Sequence, residues 1–195
     1  MKTKFNKGPL LVVILLILLI LFFLRLNSSI VGKATAGTNI TILSISSLNF
    51  TVNSINFGSG SVYYDSSNAT IDTKGNVSGG NWSATTDGFV VENIGNTNLK
   101  VYLGSGKTAL EFLGGTSPGY FFMISDEEIG SCVEKTDAFQ AWTAVNTTGS
   151  GTEICSSMNF SGESDTIRID IKLAIPSDAL IGERTDIFTV TGVGL

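Results

Sequence analysis

The chain has 195 residues, of which 43% are apolar and 15% charged, with 22 glycines against three prolines, and a net charge of −5. It contains no histidine and only two cysteines, which excludes a Ser-His-Asp or Cys-His catalytic site, an HExxH zinc helix and a four-cysteine metal site. All 17 acidic residues follow position 36, together with only seven of the 12 basic ones, so the body carries −10 and repels phosphate backbones; nucleic acid is not an expected partner.

Lys2, Lys4 and Lys7 open the chain, and residues 10–24 are an unbroken apolar run. Basic residues before an apolar run form an export signal: the lysines stay inside and the C-terminal body is sent out of the cytoplasm. The fifteen-residue run spans about 22 Å as a helix, against a bilayer core of roughly 30 Å, a length that suits a signal peptide. Residues 25–27 offer no small-x-small cleavage site, and the first is Ala34-Thr35-Ala36; Arg25 can snorkel while Leu26, Ile30 and Val31 lengthen the helix, which suits an uncleaved transmembrane anchor. The predicted organisation is therefore a signal-anchor or signal peptide with its linker over 1–36 and one extracellular domain over 37–195, either held in the cell membrane as a single-pass protein or secreted.

The body reads as short strands between Gly/Ser/Asn clusters. Candidates are 40–45, 47–52, 55–57, 62–64, 70–73, 109–113 and 120–124. Residues 89–93 and 99–103 flank Ile94-Gly95-Asn96-Thr97-Asn98 and are predicted to form a hairpin whose Gly95 and Asn96 supply positive φ. In 164–176, Ile167, Ile169, Ile171 and Leu173 alternate with Arg168, Asp170 and Lys172, a half-buried strand. The run 185–193 is predicted to return antiparallel beside it as a closing hairpin. Residues 137–145 read as an insertion around Trp142. The expected fold is all-β, a two-sheet antiparallel sandwich of immunoglobulin-like or jelly-roll type, preceded by one hydrophobic helix.

Cys132 and Cys155 bracket that insertion, and in an exported chain the two are expected to pair. Eight Asn-x-Ser/Thr sequons occur; Asn27 lies beside the membrane, and Asn39, Asn49, Asn68, Asn76, Asn81, Asn146 and Asn159 are candidate glycosylation sites. Asp126-Glu127-Glu128 and the Asp65/Asp72 region offer oxygen ligands for calcium without the spacing of a calcium loop. No metal or cofactor is expected, and no carboxylate pair has the spacing of an acid/base couple. Tyr63, Tyr64 and Trp82 are candidates for a carbohydrate platform or for packing.

The run Val91-Glu92-Asn93-Ile94-Gly95-Asn96-Thr97-Asn98-Leu99-Lys100-Val101, the later Ile175-Pro176, Gly182 and Phe188-Thr189-Val190-Thr191, and Phe57-Gly58-Ser59-Gly60 resemble microbial surface β-sandwiches. These include archaeal cell-surface proteins with immunoglobulin-like domains and the camelysin and biofilm-fibre family. The resemblance implies a sandwich able to polymerise by strand donation. Lys7-Gly8 before an apolar helix is also similar to the leader of type IV pilins and archaellins, although Pro9 departs from that pattern. The expected function is non-enzymatic: a cell-envelope structural or interaction protein, anchored to the membrane through its helix or assembled into a filament with copies of itself or other envelope proteins. Alternatives are an extracytoplasmic binding module for glycan, calcium or a surface protein, a type IV pilin-like subunit, and an envelope hydrolase.

Overall fold

The computed structural model describes residues 7–26 and 40–195, with side chains in the N-terminal helix described over 12–21. Two units are distinguished, Met1–Thr41 and Ile42–Leu195. The first contains α1 (Lys7–Leu26), 20 residues long, and its described side chains from Val12 to Leu21 are all exposed apolar groups. The expected transmembrane helix is not found: among the described residues no helix is long and apolar enough to cross a membrane. The ten described side chains cover only about 15 Å of helix. The expected linker and Asn27 and Asn39 lie outside the described residues.

The second unit consists of two antiparallel sheets in an open sandwich. The larger contains β1 (Leu48–Val52), β2 (Asn68–Asp72), β3 (Val77–Ser78), β4 (Phe89–Asn93), β6 (Gly119–Asp126), β8 (Thr143–Ala144) and β10 (Thr166–Pro176). The smaller runs in the order β11 (Phe188–Gly194), β5 (Leu99–Ser105), β9 (Thr152–Met158), β7 (Cys132–Lys135). β10 organises the larger sheet, because one edge pairs with β4 over 166–169 and with β2 over 172–176, while its other edge pairs with β6.

The alternation seen in the sequence of β10 becomes a division of faces. Ile167, Ile169, Ile171 and Leu173 are buried against Leu99, Val101 and Leu103 of β5 and Ile154 and Met158 of β9. Each such side chain contributes about 1.5–3 kcal/mol on burial. On the outer face Asp170, 1% exposed, is held by Arg168 Nε at 3.0 Å and the Thr73 hydroxyl at 2.8 Å, so its buried charge is compensated.

Both expected hairpins are corrected. β4 pairs with β1 and β10, whereas β5 pairs with β11 and β9, so residues 94–98 form an arch between the two sheets. β11 likewise crosses to β5 instead of lying beside β10. Among the described residues neither Gly95 nor Asn96 has positive φ. Gly95 is required for space, since a Cβ there would lie 2.2 Å from the Ile45 carbonyl oxygen. Residues 109–113 are not a strand but the helix α2 (Ala109–Leu113), started by a capping box in which Thr108 and Glu111 satisfy each other's backbone N–H groups. The candidates 40–45 and 55–57 form no strand, and Val62 makes only an isolated bridge to Gly80.

Cys132 and Cys155 form a disulfide, which joins β7 to β9. Its loop, 23 residues in sequence separation, stabilises the body by about 3 kcal/mol in the chain-entropy description. Replacing both cysteines with serine is expected to lower the urea-unfolding free energy by about that amount with the fold retained; a change below about 1 kcal/mol would refute the assignment.

Candidate functional site

The edges of the two sheets are unequal. β3 and β8 are two residues long, and β7 is four residues with two register breaks against β9. Short or bulged edges are poor templates for further pairing. β11 has seven residues, pairs on one side only with β5, and forms the longest such edge among the described residues.

β11 and β1 lie on the same side of the sandwich. They meet where Leu48 packs over Gly192, whose missing side chain leaves room: a Cβ there would lie 2.9 Å from the leucine. Towards Phe188 the two sheets part and leave an open cleft of about 1320 Å³. Its floor is the core itself: Leu173 and Ile175 of β10, Phe89 of β4, Phe112 of α2, Tyr120 of β6 and Phe188 of β11. Aromatic rings cross from sheet to sheet here. Phe50, Phe89, Phe188, Tyr120 and Phe112 follow one another at centroid distances of 5.8, 5.4, 5.6 and 4.9 Å. Such contacts hold the two layers together where no strand closes them.

Two irregular segments cross the mouth. The first, residues 53–61, follows β1 and rests Ile55 and Phe57 on the core. It ends at Ser61, whose N–H donates to Asn81 Oδ1. Trp82 sits in a slot between Gly60 and Gly80, where added Cβ atoms would come within 2.3 and 2.6 Å of its ring.

The second segment, residues 177–187, is a strap fastened at both ends. Near its start Asp178 accepts from the Thr116 N–H at 2.8 Å and the Thr116 hydroxyl at 2.7 Å, and Leu180 N–H donates to Leu113 O. Gly114 and Gly115, both at positive φ, admit this approach: a Cβ on Gly114 would meet Leu180 at 2.4 Å, and one on Gly115 would meet Asp178 at 2.6 Å. At the far end Asp186 Oδ2 accepts from Ser105 Oγ at 2.6 Å and from the Tyr120 hydroxyl at 3.0 Å. Burial, reinforced by the Asp186 charge, pushes the Tyr120 phenol far above its ordinary range and keeps it a hydrogen-bond donor.

The cleft is thus a surface for apolar side chains beside an unpaired β edge. The sequence candidates are distributed differently. Tyr63 and Tyr64 stand on its rim, 50% and 106% exposed, while Trp82 is half-buried in its slot. Asp126 accepts the Cys132 N–H and pairs with Lys135 at 3.3 Å, and Asp72 is bound by Asn76 through both oxygens. Among the described residues no group of three or more acidic or cysteine side chains could hold a metal ion.

Of the sequons, Asn49, Asn68, Asn76 and Asn81 are exposed and Asn146 and Asn159 are half-buried. Asn76 and Asn159 each donate their Nδ2, the first to Asp72 and the second to Ser164 at 2.8 Å. Sequence reading placed residues 185–187 in the closing strand, which begins only at Phe188, and assigned no role to 177–184 or to the slot that Gly60 and Gly80 make for Trp82; the pair Gly114-Gly115 was the available signal.

The Thr116 hydrogen bonds hold the Asp178 carboxyl below its ordinary 3.8. The strap's fastening is therefore complete above about pH 4 and is lost as pH falls through the lowered value. Amide exchange in 177–181 is expected to accelerate in acid at a pH below that of an ordinary aspartate, and Asp178→Asn is expected to accelerate it at pH 7. Equal exchange in both proteins at neutral pH would refute the fastening. The chain matches no protein-family model, no curated protein and no solved structure.

Proposed function

We propose that this chain is a non-enzymatic structural protein of the cell envelope, exported by its basic and apolar N-terminal segment, whose outer domain joins copies of itself by strand donation. The domain would be a jelly-roll or immunoglobulin-like sandwich with its body outside the cell. One observation carries this reading. An apolar segment without a strand partner and an apolar cleft beside an unpaired edge lie at opposite ends of the same body.

The segment is 40–46. Ile40, Ile42, Leu43 and Ile45 are 83%, 81%, 72% and 58% exposed. Ile40 and Ile42 alternate with Thr41, so that both fall on one face of an extended segment, as in a strand. The backbone at its end is fixed: Asn96 receives the Ile45 N–H on its Oδ1 at 2.6 Å and returns its own N–H to Ile45 O. This anchorage is at the 94–98 arch, the end at which β4 finishes and β5 begins. The cleft lies at the other end, where β4 begins at Phe89 and β11 begins at Phe188.

A donor at one end and an acceptor at the other give a head-to-tail contact, which is heterologous and repeats into an open-ended chain. The mode is β-augmentation, with backbone pairing to β11 and alternate side chains in the cleft. The segment carries no charge, so the strongly acidic body does not oppose its entry.

A second reading, an extracytoplasmic binding module for glycan, is favoured by Tyr63 and Tyr64 on the cleft rim. Tyr64 is fully exposed with its ring available for stacking on a sugar face.

Full-length protein reconstituted in vesicles is expected to form filaments or concentration-dependent oligomers. The double variant Ile42→Asn/Ile45→Asn should remain monomeric with unfolding free energy within about 0.5 kcal/mol of the parent, because both side chains are on the surface. A parent that stays monomeric at high concentration and on vesicles would rule out self-assembly. Peptide mass mapping of protein taken from its own envelope is expected to find glycan at Asn49, Asn68 and Asn81 and none at Asn76 or Asn159, whose amide nitrogens are engaged. Glycan at the last two alone would contradict this.

A further inference from the structure

We infer that residues 53–60 are an internal plug in the cleft, which the 40–46 segment of a second copy displaces; this rests on the strand-donation reading above. Side chains alone hold the plug. Ile55 and Phe57 pack on the core, but among the described residues no backbone group of 53–57 is hydrogen-bonded to a strand. Gly58 N–H turns back to Asn56 Oδ1 at 2.8 Å, a bond internal to the segment. The segment is thus docked beside the β11 edge without using it.

The incoming segment outcompetes it through its backbone. Ile40 and Ile42, two residues apart on one strand face, match Ile55 and Phe57 in number and spacing, and the segment adds the backbone hydrogen bonds to β11 that the plug does not make. The plug is joined to β1 just before it and secured at Ser61 and Asn81 just after it, so it can swing out while the strands stay paired. Until a second copy arrives it keeps apolar surface from water, and it raises the concentration at which assembly starts, since the acceptor is competent only in the fraction of molecules whose plug is out.

Trp82 reports the displacement, because its ring lies against Gly60 at the end of the plug. The test uses the full-length chain in detergent micelles with Trp142→Phe, which leaves Trp82 as the sole tryptophan. The probe is a labelled synthetic peptide with the sequence of residues 38–47. Binding is expected to shift Trp82 emission to the red and open it to quencher, with the same midpoint as peptide anisotropy. Phe57→Ser should bind the peptide about tenfold more tightly, and Ile55→Thr, a milder change that retains folding, by a smaller factor in the same direction.

Binding to the variants but not to the parent also supports the plug. Peptide binding with Trp82 emission unchanged and Phe57→Ser no tighter than the parent would overturn the plug and leave strand donation standing. Absence of binding by the parent and both variants would overturn strand donation together with the plug.

Discussion

The backbone of β10 is hydrogen-bonded along both edges, and the rest of the body is arranged around that requirement. Its first half accepts β4 and its second half β2 on one side, while β6 runs along the other. A strand enclosed in this way must bury one face and keep the other compatible with water. Ile167, Ile169, Ile171 and Leu173 meet the first condition. Arg168, Asp170 and Lys172 meet the second, with Asp170 compensated by Arg168 and Thr73 and Lys172 lying over the rings of Phe121 and Trp142. Because β2 and β4 share one edge of β10, the end of β2 and the start of β4 meet beside Arg168, whose guanidinium donates to the carbonyls of Thr73 and Thr86.

Faces were legible in the sequence and partners were not. The alternation in β10, and the apolar runs of β4 and β5, state which side chains point inward, but a period of two is satisfied equally by any neighbouring strand. The arch at 94–98 therefore read as a hairpin, and β11 read as the partner of β10. β9 escaped notice because its run Thr-Glu-Ile-Cys-Ser-Ser-Met is polar in composition, its buried residues being fixed by the register breaks against β5 and β7. α2 was misread because Phe112 and Leu113 suit a strand. Thr108 with Glu111 three residues later was the contrary signal, and the reciprocal cap outweighs propensity over one turn.

The cleft was less legible still, since it depends on segments that are distant in sequence. Its walls come from residues near positions 55, 89, 112, 120, 173 and 188, and no local pattern relates them. What the sequence did carry was the absence of side chains where backbone must be approached closely. Gly60 and Gly80 frame Trp82, Gly95 admits the Ile45 carbonyl, and Gly114 and Gly115 admit the strap. Gly60, Gly80 and Gly95 read as turns and Gly114 and Gly115 drew no reading, yet only Gly114 and Gly115 of the five have positive φ. The other three are required by volume, a distinction that composition cannot make.

The placement of the cleft and the 40–46 segment at opposite ends has a mechanical consequence. A pull applied between those ends acts along the strand axes. β1 continues directly from the segment and is antiparallel to β4 over Leu48 to Val52, so the load reaches the β1–β4 ladder in shear. Hydrogen bonds in shear must yield together, whereas a ladder pulled from one end across its strands opens one rung at a time. The covalent bridge between Cys132 and Cys155 lies at the β7–β9 side, away from that line of force. Tensile strength along this axis is accordingly set by the non-covalent ladder of β1, and the disulfide limits how far the remainder can extend once the ladder has failed.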